Sequence, residues 1–299
     1  MQHKMSVLPP RPPAFRSFLL GLAGFFALAL PLATALAGSA NDIEFKKEGE
    51  VLKTLSVDDL RAMVPEVSLK VFEPHEKQNR IYRVLPARQV FENVFGKGWE
   101  KAEEIAFTSI DGYQPNIPVA KFLAHDGYFA FANGDGSPFT LAPKLRNHDS
   151  IPLGPLYVVW DNIESPVLLK AGTSDMPYQI KSITLRVEAP LPNNMAPPSG
   201  STAKVLQGFK HFRQHCVACH SINGEGGQRA PDLNFPMSVV EYWKPEYLKR
   251  WIMDPQSIRY NTTMPALRKD LPDRDRVTEE LIAYLKAMSG AKRTPAHLR

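Results

Sequence analysis

Cysteine is nearly absent from this chain of 299 residues. Two are present, Cys216 and Cys219, and nothing before them carries a thiol. That excludes a disulfide-stapled scaffold and leaves the first two-thirds of the chain without a thiolate ligand. Acids are missing from the first 16 residues, which carry Lys4, Arg11 and Arg16. Phe18 to Leu30 is apolar apart from glycines, Pro31 breaks it, and Ala35-Leu36-Ala37 follows. A positive start, an apolar middle and a small-x-small end predict a secretory signal over 1–37, cut after Ala37. Left uncut, Phe18 to Ala37 would just span a bilayer at about 20 residues and act as a membrane anchor. No later stretch is long and apolar enough to span. The expected location of the mature chain is the periplasm, with membrane contact only if the signal stays attached. Nucleic-acid partners are excluded by that location and by the lack of a binding motif.

Roughly 260 residues remain after the signal, enough for two domains. Internal repeats are absent. "APLPNNMAPPSG", Ala189 to Gly200, has four prolines and no charge and predicts a semi-extended linker. The expected organisation is therefore a domain over 41–188, a linker over 189–200, a second domain over 201–290 and a tail over 291–299.

"CVACH" supplies the chemistry. At i and i+3 on a helical turn, the sulfurs of Cys216 and Cys219 share one face, and His220 follows directly. A disulfide-exchange site would prefer a thioredoxin-like βαβ frame, but "SINGEGGQRAPDL" after the motif reads as loop. A zinc site wants four ligands, and the remaining histidines are poorly spaced for it. Covalent haem fits best: two thiolates add to the two vinyl groups and the adjacent imidazole ligates iron. One haem c is the expected cofactor.

The surroundings predict a helix from about Thr202 to His215, with Val205, Gly208 and Phe212 towards one side. Gly208 lets another helix approach closely. A last helix is expected over about Arg276 to Met288, starting near Asp275 or Thr278, with Val277, Leu281, Tyr284, Leu285 and Met288 as an apolar stripe. Each stripe reads first as ordinary core, the two packing on each other. A sixth iron ligand is offered by Met264 in "YNTTMPALRKD", forty-four residues after His220. A neutral thioether favours ferrous iron, so a Met/His pair raises the reduction potential. Met237, in a loop, and Met253, in the amphipathic "EYLKRWIMD", are rivals. His211 and His215 are expected at the surface rather than on iron. Residues 201–299 hold 16 Lys and Arg against 10 Asp and Glu, a net charge of +6. Lys249, Arg250, Arg259, Arg268 and Lys269 flank the Met264 loop. Such a rim suits docking to an acidic periplasmic redox protein; a merely solvated basic surface is the plain alternative.

Residues 201 to about 290 resemble a class I cytochrome c domain, through "GFKHF", "CVACH", "APDL", "TTMPAL" and "LIAYLK". The resemblance implies an all-α fold in which Cys216 and Cys219 hold the porphyrin, and His220 and Met264 are the axial ligands. It also implies that Pro231 supplies the carbonyl that accepts the other ring N–H of His220.

Before the linker, "SLKVFE", "EIAFTSID", "GYFAFAN", "LYVVW" and "IKSITLRVE" predict strands. "SVDDLRAM" opens with a Ser56–Asp59 capping box, and "ARQVFENVFG" reads as a helix closed by Gly96. The expected class is α+β with a mainly β core. The order of "VLKTLSVDDL", "IYRVLPARQVFENVFG", "FTSIDGYQPNIPVAKF", "NGDGSPF" and "GPLYVVWD" resembles the sulfite-oxidase-type molybdopterin-binding fold. Catalytic members of that family bind molybdenum through a cysteine, and this domain has none. The fold is therefore expected without molybdopterin. Asp111-Gly112-Tyr113, His125-Asp126, Asp135 and His148-Asp149 are the polar candidates there. They read first as turns and solvated pairs, and Tyr113 and Trp160 as core, so no catalytic residue is assigned. The chain reads as a one-electron carrier with an appended domain. The alternatives are a haem subunit of a molybdenum dehydrogenase, which the missing cysteine opposes, and a haem sensor, which Met264 opposes.

Overall fold

The computed structural model describes residues 41–142, 150–187, 194–295 and Leu298. The expected signal segment, the His148-Asp149 pair and residues 189–193 lie outside the described residues. Among the described residues no helix is long and apolar enough to cross a membrane.

The amino-terminal part is mainly β. It begins with the hairpin β1 (Ile43–Lys47) and β2 (Glu50–Leu55), followed by α1 (Val57–Met63). Ser56 caps α1: its hydroxyl accepts from Asp59 N at 3.1 Å, and Asp59 returns a bond to Ser56 N at 2.9 Å, satisfying two helix-end donors at once. β3 (Val67–Glu73) and β4 (Gln78–Pro86) lead into α2 (Ala87–Phe95), which ends at Gly96 with φ 79°. Then come β5 (Glu104–Ser109), β6 (Asn116–Pro118), α3 (Val119–Ala124) and β7 (Gly127–Asn133). The short strands β8 (Thr140–Leu141) and β9 (Ile151–Pro152) pair with each other, and β10 (Tyr157–Trp160), α4 (Pro166–Ala171) and β11 (Ile180–Arg186) close the region.

Two sheets result, ordered β2-β1-β11-β5-β6 and β10-β7-β4-β3. The last strand, β11, returns to lie parallel to β1. Alternation decides which side faces the core: Ile43 and Phe45 on β1, Ile105 and Phe107 on β5, and Ile183 and Leu185 on β11 are all buried in it with Phe91 of α2. The opposite face of the first sheet is polar, yet Ser182 and Thr184 on it are only 4% and 8% exposed. They are covered because the second domain packs over that face.

The carboxy-terminal part is helical. Thr202 caps α5 (Ala203–His215), accepting from Val205 N. A two-residue hairpin, β12 (Ser221–Ile222) with β13 (Glu225–Gly226), precedes α6 (Val239–Tyr242), α7 (Pro245–Met253) and α8 (Arg274–Ser289). α8 starts two residues before the stripe-based boundary. The Arg274 guanidinium bonds Leu267 O at 2.7 Å and also Met253 O, so tertiary bonds fix the first turn where no side chain caps it. α5 and α8 form the centre of this domain. Phe209 and Phe212 each meet Tyr284 at 5.4 Å between ring centroids. Met195, from the proline-rich stretch, is buried in the same core, and its carbonyl accepts from Tyr284 Oη at 2.7 Å.

Gly208 is where the two helices touch. A Cβ there would lie 1.9 Å from the carbonyl oxygen of Glu280. Gly208→Ala should gain about 1 kcal/mol of helix propensity and lose more to overpacking, typically about 1–3 kcal/mol. A lower urea midpoint followed by far-UV circular dichroism is the expected outcome; an unchanged or higher midpoint would show that the helices are not in this contact.

Candidate functional site

Cys216 ends α5 and the chain then turns on itself. Phe212 O accepts from both Cys216 N (2.9 Å) and Val217 N (3.0 Å), and Cys216 O accepts from Cys219 N (3.1 Å) and His220 N (2.9 Å). This places two free thiols and the imidazole on one short turn. Val217 O accepts from Gly227 N at 2.8 Å and Cys219 O from Ala230 N at 2.9 Å, so the loop after the motif is laced back onto it.

Burial, and behind it the neighbouring Cys219, push the Cys216 thiol up to about 12. Burial also raises Cys219, against the pull of Arg229. Burial thus disfavours the thiolates that disulfide exchange would use. Among the described residues no three His, Cys, Asp or Glu side chains gather closely enough to hold a metal ion, which is short of the four that structural zinc takes.

Pro231 O lies 2.8 Å from Nδ1 of His220. That bond fixes the tautomer with Nδ1 as donor and leaves Nε2 to ligate. Burial holds His220 below its usual value, against the Pro231 bond and Asp232, and so favours the neutral imidazole. The Pro231 carbonyl is itself held by Asp232. One carboxylate oxygen accepts from Ser221 Oγ (2.9 Å) and Gly224 N (2.7 Å), and the other from Asn234 N and Phe235 N, both at 2.8 Å. Asn234 donates to Asn223 Oδ1 (2.9 Å) and Met288 O (2.8 Å), and Asn223 to Asn194 O (2.8 Å) and Ala291 O (3.0 Å). This network was missed from sequence. The signal for it was the clustering of Asn and Asp around the motif, which reads as turn chemistry.

Met264 sits half-buried in the loop after α7, where its N–H donates to Thr262 Oγ1 at 3.3 Å. Leu267 N donates to Ile252 O at 3.0 Å and anchors the far side of that loop. Arg268, four residues beyond Met264, is near enough to His215 to join burial and His211 in lowering its pKa. The segment after Met264 therefore runs near the end of α5. Met237 is 55% exposed, and Met253 lies half-buried on α7. His211 and His215 are half-buried: His211 Nε2 is 2.9 Å from Glu280 Oε2, and the two rings stack at 6.1 Å. The close approach of α8 at Gly208 brings Glu280 to them. The basic rim is partly neutralised, since Lys249 pairs with Asp275 at 3.0 Å and Arg268 with Asp270 at 2.7 Å. Arg259 and Lys269 stand exposed.

Both thiols, the oriented imidazole and a half-buried thioether are the donor set that covalent haem uses, so the residues present fit that group.

In the amino-terminal part the polar candidates are mostly structural. His125 ends α3, Asp126 pairs with Arg88 at 3.4 Å, and Asp135 accepts from Ser137 N and Oγ. Trp160 is in the core. Tyr113 is not: it lies between the two parts, under the Arg229 guanidinium. A cluster missed from sequence centres on fully buried Glu73, which accepts from Tyr82 Oη (3.0 Å), Tyr157 Oη (2.9 Å) and His75 N (3.0 Å) and touches His75 Nδ1 at 2.8 Å. Its signal was an acid two residues after Val71, on the inward side of β3.

Residues 203–285 match the family model described as cytochrome C oxidase, cbb3-type, subunit III. Cytochrome c oxidase subunit 2 of Alkalihalophilus pseudofirmus is 35% identical over 88 residues, which are 27% of this chain and 25% of that protein. The chain thus spans about a quarter of that relative's length. Residues 203–285 form a cytochrome c domain, a class that implies haem c, electron transfer and a redox partner.

Proposed function

We propose that the chain is a periplasmic monohaem c-type cytochrome that carries single electrons, with an amino-terminal domain that performs no chemistry of its own. The observation that carries this is the His220–Pro231 bond beside two free thiols on one turn. Cys216 and Cys219 would hold the porphyrin through thioethers, and His220 Nε2 and Met264 would be the axial ligands. Bound there, the haem supplies reversible one-electron redox. The protein's part is to orient and to shield: Pro231 O sets the imidazole plane, Asp232 sets Pro231, and the α5–α8 pair shuts one side from water. Arg259 and Lys269, exposed near the Met264 loop, are suited to meeting an acidic partner.

For the amino-terminal domain, the two-sheet α+β architecture is compatible with a sulfite-oxidase-type ancestry. No cysteine is present in it to ligate molybdenum, and the softness of the ligands helps decide which metal a site accepts. We read it as a binding and docking domain.

Haem should stay with the polypeptide through denaturation and acid–acetone extraction, and Cys216→Ser with Cys219→Ser should release it. Extractable haem in the unaltered protein would contradict covalent attachment. Met264→His should lower the reduction potential while keeping the iron low-spin. If Met237→Ala changes the axial signature and Met264→His leaves it alone, the ligand is Met237. Elemental analysis of protein from a host that makes and exports the molybdenum cofactor should find no molybdenum. One molybdenum per haem would make the amino-terminal domain catalytic.

A further inference from the structure

Four consecutive carbonyls, from Cys216 to Cys219, each accept a backbone N–H. Three of the four are satisfied from within the cytochrome domain. The fourth, Ala218 O, accepts from Gln114 N of the amino-terminal domain at 2.7 Å. A reciprocal bond runs the other way, from Gln228 N to Gly112 O at 2.9 Å. The loop between β5 and β6 is thus paired, backbone to backbone, with the turn that carries the thiols. A side chain at position 112 would press on this seam: φ is +82°, and a Cβ would lie 3.0 Å from the backbone of Gln228.

Side chains extend the contact towards Cys219. Asp111 pairs with Arg229 at 3.1 Å, and the Arg229 guanidinium lies 5.9 Å from the centre of the Tyr113 ring. The Gln114–Ala218 bond sets this group beside Cys219, since Tyr113 precedes Gln114 and Ala218 precedes Cys219. At the other end of the seam Arg213 on α5 bonds Glu104 of β5 at 3.2 Å, and Glu104 also holds Arg186 at 3.0 Å. Between the two ends the domains leave polar cavities of about 550 and 390 Å³, sharing Lys46, Thr108, Gln114, Ser182 and Gly226 in their walls. The contact is therefore local, hydrogen-bonded and aimed at the attachment turn, rather than a broad apolar interface.

We propose that the amino-terminal domain is part of the haem site, with Asp111, Tyr113 and Arg229 as positioning residues that fix the Cys219 side and tune the potential. This rests on the reading that Cys216 and Cys219 carry haem. A cation near the iron favours the ferrous state and an acid the ferric state, because reduction removes one positive charge. Covering the thioether from water also favours the ferrous state, through lowered local dielectric.

The test is the midpoint potential of the full-length chain and its variants, each first checked for haem retained after denaturation. Arg229→Gln should shift the reduction equilibrium towards ferric by about threefold, and Asp111→Asn towards ferrous by a similar factor, as expected for partly screened charges. Tyr113→Ala should shift it towards ferric. The opposite signs separate tuning from damage, since loosening the site would move every variant towards ferric. Hydrogen exchange supplies the second readout: the N–H groups of Gln114 and Gln228 should be protected in the unaltered chain and lose protection in Tyr113→Ala. If covalent haem is present in all variants but the three potentials coincide with the parent, the proposal fails and the haem reading stands. The proposal also fails if the two amides exchange as freely as loop amides. If no variant or parent retains haem, the haem reading itself fails.

Discussion

The turn from Cys216 to His220 is the constraint on which the rest depends. If two sulfurs and one ring nitrogen are to face a single haem from five consecutive residues, as proposed, the backbone between them cannot drift. A buried backbone carbonyl without a partner is costly, and here the carbonyls of Cys216, Val217, Ala218 and Cys219 all have one. Each bond ties the turn to a different segment: to its own next residues, to Gly227, to Gln114 and to Ala230. The geometry of the site is a property of what surrounds the turn as much as of the five residues themselves.

The same constraint connects features that lie far apart along the chain. Gly208 lets α8 press against α5, whose last turn positions Cys216. Asp232 collects four donors and so aims Pro231 O at His220. The first sheet of the amino-terminal domain turns Thr108, Ser182 and Thr184 away from its own core, and the cytochrome domain covers them. The proline-rich stretch is partly absorbed into the fold, since Met195 is buried under Tyr284. Together these bonds make the two domains one body around the turn, rather than two beads on a string.

Much of the architecture was legible in sequence. The strands β3, β5, β7, β10 and β11 carry β-branched and aromatic residues, and the α5 and α8 stripes show the 3.6-residue period. The Ser56–Asp59 cap could be read at i and i+3. The Cys216–His220 turn was legible because its residues are adjacent in sequence. What stayed hidden depends on partners distant in sequence. Nothing around Gln114 indicates that its N–H would reach Ala218, more than a hundred residues later. His211 looked solvated because Glu280, the acid that pairs with it, lies about seventy residues on. Glu73 closes the predicted strand "SLKVFE", and nothing near it in sequence shows that two tyrosines from other strands cover it. The start of α8 was placed late because its first turn is held by Arg274 side-chain bonds rather than by a capping residue.

Peptide mapping by mass spectrometry tests the central claim most directly, on the exported full-length chain made in a host with a haem-attachment system. The account predicts one haem on a single peptide that contains both Cys216 and Cys219, with no other modified site. That peptide recovered unmodified, or as a Cys216–Cys219 disulfide, would contradict it.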